Sequence, residues 1–88
     1  LYTDQYSEQI TKKLGKLKKK NPSQHREVLK KIDWILANPD HRYKELHYDM
    51  KGIQRVHLGH FVLVFRLDRV KKIISFEDYD HHDKIYLS

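Results

Sequence analysis

Seven of the 88 residues are histidine, the side chain whose ordinary pKa of about 6.5 lets it give and take protons near neutrality. His25 and His41 stand alone and read as inert surface groups. His47, His57, His60, His81 and His82 all fall in the second half of the chain. His57 lies two residues from Arg55 in an alternating run, so a proton carrier and a permanent cation share one strand face. His81 and His82 are adjacent, flanked by Asp80 and Asp83 and followed by Lys84 and Tyr86. The run from Asp78 to Asp83 admits three readings: a polar turn, a divalent-metal site, or a histidine moving protons beside Arg, Lys and Tyr groups that hold a phosphate. Metal is the weaker of the two chemical readings. Neighbouring histidines in one strand or helix point apart, their spacing matches no standard ligand motif, and further ligands would have to come from elsewhere. Zero cysteines remove thiolate zinc sites, disulfides and cysteine nucleophiles together. On residue types alone the polar turn stays as open as the chemical readings, and no cofactor is called for.

Charge points to the kind of partner. Eighteen Lys and Arg stand against 12 Asp and Glu, a formal +6. Lys12, Lys13, Lys16, Lys18, Lys19 and Lys20 form an acid-free block, while Glu77, Asp78, Asp80 and Asp83 crowd the other end. A polyanion, most economically nucleic acid, would use such a balance through phosphate contacts and counterion release. A solvated lysine face, or lysines favouring a helix C-terminus, is the plain alternative. The length predicts a single domain, 1–88, that buries roughly 60–65% of its unfolded surface around one modest core, leaving any active site at the surface. Without an apolar run of roughly 18 residues or a signal peptide, the chain reads as soluble and cytoplasmic, away from membranes. Because it opens on Leu1, residues are expected to be missing upstream and a first strand to be cut short.

These groups need elements to position them. From an N-cap at Thr3 or Asp4, apolar residues at Tyr6, Ile10, Leu14 and Leu17 predict a helix to about Lys20. Asn21-Pro22-Ser23-Gln24 then offers a cap, a proline at the first helical position and a glutamine at N3. A second helix follows, with Val28, Leu29, Ile32, Ile35 and Leu36 on its apolar face, Trp34 off that stripe, and Asn38-Pro39-Asp40 at its end. The short link predicts an antiparallel pair. Beyond Pro39, three strands are predicted at Ile53 to Leu58, Phe61 to Leu67 and Ile73 to Phe76, with Asp80 to Tyr86 as a closing turn or short helix. Alternation sets Phe61, Leu63, Phe65 and Leu67 against Val62, Val64 and Arg66. The helices are expected on the more apolar face, leaving Arg55, His57 and Arg66 on an open face of an antiparallel sheet, an α+β fold.

The order of these elements carries a resemblance. A helical hairpin, Lys44-Glu45-Leu46, a glycine, the Arg55-Val56-His57 strand, a Gly-x-aromatic turn and a C-terminal tyrosine resemble the RelE/ParE superfamily of toxins from toxin–antitoxin pairs. The residues that carry it are Met50 through Phe65, similar to the family's Arg-x-x-x-Gly-Asp-Tyr-Arg-x-x-Tyr stretch, and His81-His82-Asp83-Lys84-Ile85-Tyr86. The likeness spans nearly the whole chain.

What the resemblance implies is an antiparallel sheet with two helices on one face and a basic, open cleft on the other. RelE-like members cut messenger RNA in the ribosomal A site without metal, driving the ribose 2′-hydroxyl into the adjacent phosphate. That needs a base, cations on the charge-gaining phosphate, and an acid for the departing 5′-oxygen. The matching positions are Arg55, His57, His81 or His82, and Tyr86 for the chemistry, with Lys44, Lys51, Arg66 and Lys84 holding RNA. The implied partners are the ribosome, messenger RNA and a RelB-like antitoxin, a heterotetramer being one assembly such pairs form. One departure stands out: Phe61-Val62 replaces the family's Tyr-Arg, so the phosphate-clamping arginine is absent at Val62, and Arg66 on the same face is its candidate substitute. A ParE-like inhibitor of DNA gyrase and an inactive RNA-binding module are the alternatives. The clustered histidines and Tyr86 favour the nuclease over the gyrase inhibitor, which has no use for a proton-transfer pair, while the missing arginine at Val62 lends weight to the binding module.

Overall fold

Thr3 to Tyr6 form not a first helical turn but a short strand, β1, in the computed structural model of the chain, which describes residues 1–45 and 52–87. The helix begins later because Ser7 is its cap: the Ser7 hydroxyl accepts the Ile10 N–H at 3.1 Å. Helix α1 runs Glu8–Lys20, with Glu8 in its first turn and Lys18, Lys19 and Lys20 in its last, both signs matching the macrodipole. Tyr6, expected on the helical stripe, instead stacks on Phe76 with ring centroids 5.4 Å apart.

Asn21 alone separates α1 from α2, Pro22–Ala37. It closes one helix and opens the next, giving its backbone N–H to Leu17 O at 2.7 Å while its side chain accepts the Gln24 N–H at 3.2 Å. Gln24 does not complete a reciprocal box; its side-chain amide donates to the Tyr79 hydroxyl at 2.6 Å and so ties the hairpin to the sheet. Leu29, expected in the core, is exposed on α2, as is Trp34.

Strand β2 (Lys44–Glu45), β3 (Ile53–Leu58), β4 (Phe61–Asp68) and β5 (Ile73–His81) complete a five-stranded sheet in the order β1-β5-β4-β3-β2. The β3–β4 and β4–β5 pairings are antiparallel as expected; β2, not predicted as a strand, adds an antiparallel edge against β3, and β1 a parallel edge against β5. Gly59 supplies positive φ (63°) at the first central position of the two-residue β3–β4 turn, the geometry of a type II′ hairpin. The core is one cluster between α1, α2 and the sheet: Ile10, Leu14, Val28, Ile32 and Ile35 against Leu63, Phe65, Ile74, Phe76 and Tyr79. The helices thus cover the face that alternation marked as more apolar.

β5 is longer than the expected Ile73 to Phe76 because of a bulge. Phe65 faces Phe76 but Val64 faces Asp78, so Glu77 is extra and the alternation changes phase. Ile74 and Phe76 face the helices before it and Tyr79 after it. Simple alternation would have sent Asp78 and Asp80 into the core. Instead Lys13 of α1 closes the free edge of β5, donating to Asp78 Oδ1 at 2.7 Å and Asp80 Oδ2 at 2.8 Å. A final short helix, α3 (His82–Leu87), crosses the opposite face, where Ile85 and Tyr86 cap Val62 and Val64. Among the described residues no helix is long and apolar enough to cross a membrane.

Candidate functional site

On the face away from the hairpin, strand register places Arg55 opposite Val64 and His57 opposite Val62. Both valines are buried beneath α3, so the two polar side chains flank an apolar patch instead of lying on open sheet. α3 brings Tyr86 to them: the Arg55 guanidinium sits 5.7 Å from the Tyr86 ring centroid, and the His57 and Tyr86 rings stack at 6.3 Å. Arg55 is held from a second side. Its Nε donates to the Glu45 carbonyl on β2 at 3.1 Å, and an Nη lies 3.4 Å from His57 Nδ1. A guanidinium fixed in this way is a preorganised cation, with little left to reorganise when an anion arrives.

The same setting tunes His57. Partial burial, then the positive charge of Arg55, then the nearby groups of His82 and Lys44, push its pKa below the usual histidine value. At neutral pH the ring is therefore an uncharged proton acceptor.

His81 and His82 form a second group, around the β3–β4 turn. Their rings stack at 4.6 Å, and the His60 ring lies 6.0 Å from His81 and 6.3 Å from His82. The His82 N–H donates to the His60 carbonyl at 2.9 Å, fastening the start of α3 to the hairpin. Asp83 joins them, 3.1 Å from His82 Nδ1 and 3.6 Å from His81 Nδ1. The structure thus brings Arg55, His57 and Tyr86 together and gathers His81, His82 and His60 at the end of the same face. His60 is absent from the residues that sequence marks for chemistry, because only the turn geometry, with the strand ends beside it, reveals its neighbours.

The RNA-holding candidates are more scattered. Lys44, opposite Arg55 on β2, and Lys84 on α3 are exposed. Lys51 lies outside the described residues, as do His47 and the Leu46 of the Lys-x-Leu segment. Arg66 is exposed opposite Ile53 and 3.8 Å from Glu77, the bulge residue. It stands four residues along β4 from Val62, roughly 13 Å of strand. To serve the phosphate position of an arginine at Val62, the Arg66 side chain would have to span much of that distance. A hollow of about 410 Å³ runs from Arg55 and His57 around the β2 edge, past Lys31, Arg42 and Lys44.

No family model matches the chain. A relative from Methanocaldococcus jannaschii, named "Putative toxin RelE4", is 39% identical over 87 residues, 98% of this chain and 92% of that protein. The chain belongs to the RelE toxin family. A Methanosarcina mazei protein without an assigned function is 51% identical over 79 residues, covering 89% of this chain and 91% of its own length.

The RelE fold is met again in solved structures. The isolated Escherichia coli RelE toxin superposes with a TM-score of 0.77 at 18% identity, covering 92% of this chain and 84% of that one. The Mycobacterium tuberculosis RelBE2 toxin–antitoxin complex gives 0.74 at 21% identity, with coverage of 91% and 96%. Within this RelE-family chain, Val62 occupies the interior of the apolar patch under Ile85. An arginine there would have to emerge past α3.

Proposed function

We propose that this RelE-family toxin is a messenger-RNA endonuclease that acts on the ribosome, needs no metal, and is kept silent by an antitoxin. The observation that carries the reading is the convergence of a fixed guanidinium, Arg55, a neutral imidazole, His57, and the Tyr86 ring on one exposed patch. In this reading His57 takes the proton of a ribose 2′-hydroxyl. The 2′-oxygen attacks the adjacent phosphorus while Arg55 holds the non-bridging oxygens as their charge grows. The P–O5′ bond breaks, and the departing oxygen takes a proton from the histidine cluster, for which His82 is the candidate because it opens α3, the helix that also carries Tyr86 to His57. Lys44, Lys51, Arg66 and Lys84 hold flanking phosphates, Arg66 on a different one from Arg55.

An acidic antitoxin segment suits the basic surface, and the M. tuberculosis neighbour was solved as a toxin–antitoxin complex. The buried, uncharged position of Val62 favours a second reading, an RNA-binding module that cuts slowly or not at all. Adding the purified protein to cell-free translation separates the two. Nuclease activity yields cleaved messages and stalled synthesis; synthesis blocked on intact messages supports the mute binder, and unaffected synthesis contradicts both.

A further inference from the structure

The spacing of two adjacent histidines argues against a shared ligand only if both belong to one regular element. In this fold they do not: His81 is the last residue of β5 and His82 the first of α3. The change of backbone between them turns both rings the same way, stacked at 4.6 Å with 29° between their planes. Asp83 closes the group, and one ligand atom from each of the three residues lies within 4.8 Å of the other two.

Tetrahedral zinc with bonds of about 2.0–2.2 Å sets neighbouring ligand atoms roughly 3.3–3.6 Å apart. Asp83 comes close to that spacing with one carboxylate oxygen to each partner, Oδ1 at 3.1 Å from His82 Nδ1 and Oδ2 at 3.6 Å from His81 Nδ1, so a small side-chain adjustment would seat an ion among the three. The His60 ring is the next imidazole, its centroid 6.0 Å from that of His81 and 6.3 Å from that of His82, outside the group of three. The one bond an ion would displace is the weak donation from the Asp83 N–H to His81 Nδ1, at 3.3 Å.

We propose that His81, His82 and Asp83, three protein ligands that leave a fourth position open, bind one divalent transition-metal ion of the zinc class at the junction of β5 and α3. Imidazole nitrogens with a carboxylate select zinc, nickel or copper over magnesium. The ion clamps the strand end to α3. It also occupies the imidazoles that the proposed function uses for proton transfer, so it acts as an inhibitor of cleavage; this consequence rests on that reading, while binding itself does not.

The test is calorimetric titration of the full chain with Zn²⁺, alongside His82→Gln, Asp83→Asn and, as a control, His25→Gln. Wild type and control should take up one ion per chain, the two site variants should bind at least tenfold more weakly, and Mg²⁺ should give no heat. Circular dichroism shows that each variant is folded, and ¹⁵N shifts of the imidazoles report the ligating nitrogens directly. Absence of saturable binding, or equal affinity in all four proteins, overturns the proposal. Zinc binding without any cleavage in zinc-free protein would overturn the nuclease reading and leave the site standing, whereas cleavage unaffected by bound zinc would overturn the inhibition.

Discussion

The two faces of β4 bury their side chains under different amounts of cover. On one face Leu63 and Phe65 sit in a ten-residue cluster roofed by two helices; on the other Val62, Val64 and Ile85 form a cluster of three under one short helix. Stability is concentrated on the first face and the proposed chemistry on the second. Polar groups can stay at the edge of thin cover, where Arg55 and His57 keep access to a ligand while Tyr86 still orders them. Thick cover would exclude them, because a buried charge without a partner is costly.

Deleting a large side chain on the thick side is the most severe way to probe the contrast. Phe65→Ala should cost about 3–5 kcal/mol, read by chemical denaturation. Arg55→Ala should leave stability within about 0.5 kcal/mol yet slow cleavage by about 10²–10³, the usual loss for a preorganised charge contact. Equal losses of stability from the two would erase the distinction between the faces. Ile85→Ala belongs between them, at about 2 kcal/mol, because a small cluster can collapse around the missing atoms. Its larger effect should be functional, with α3 loosened and the Tyr86 ring no longer set against Arg55.

Protonation gives the finest test. His57 should titrate below 6.5 by NMR, so its loss of proton-accepting capacity begins only as pH falls beneath the ordinary histidine value. Arg55→Gln should raise that pKa only partly, because burial is the larger cause and remains. On the β5 edge, burial raises the Asp80 pKa, but Lys13, the His81 N–H and Lys84 more than reverse it, leaving the carboxyl below its ordinary 3.8. Burial lowers the Lys13 pKa and the bonds to Asp78 and Asp80 more than reverse that, leaving it above 10.5. The Asp80 contribution is therefore present above about pH 3.8 and lost as pH falls through the lower folded value. The Lys13 contribution is intact below 10.5 and lost as pH rises through the higher one. Lys13→Met should flatten both limbs of the stability profile by about 1 kcal/mol or less, since the ammonium is partly solvated.

Much of this is legible in the sequence where local rules decide. Asn21-Pro22 sets the helix junction, and the alternation from Phe61 to Leu67 assigns the helix-covered face correctly. Arg55 and His57 are recognisable as neighbours on one strand face. The bulge at Glu77 is not legible, because its phase change makes an acidic run look unlike a strand, and so the pattern stops at Phe76 while β5 continues. For the same reason the Lys13 bridge to Asp78 and Asp80 is hidden. A first strand is expected at the front of the chain, but its place at Thr3–Tyr6 is hidden because Tyr6 falls in helical register with Ile10, and only the partner strand reveals the pairing. The cluster of His60 with His81 and His82 depends on a hairpin turn meeting a strand end more than twenty residues later, a juxtaposition that no local pattern records.

Cleavage by the ribose's own 2′-hydroxyl is the central claim, and the ends of the cut message test it most directly. Wild-type protein should leave a 2′,3′-cyclic phosphate or 3′-phosphate on the upstream fragment and a 5′-hydroxyl on the downstream one. A 5′-phosphate on the downstream fragment would mean that water or another external nucleophile attacked, and would contradict the roles proposed for Arg55 and His57.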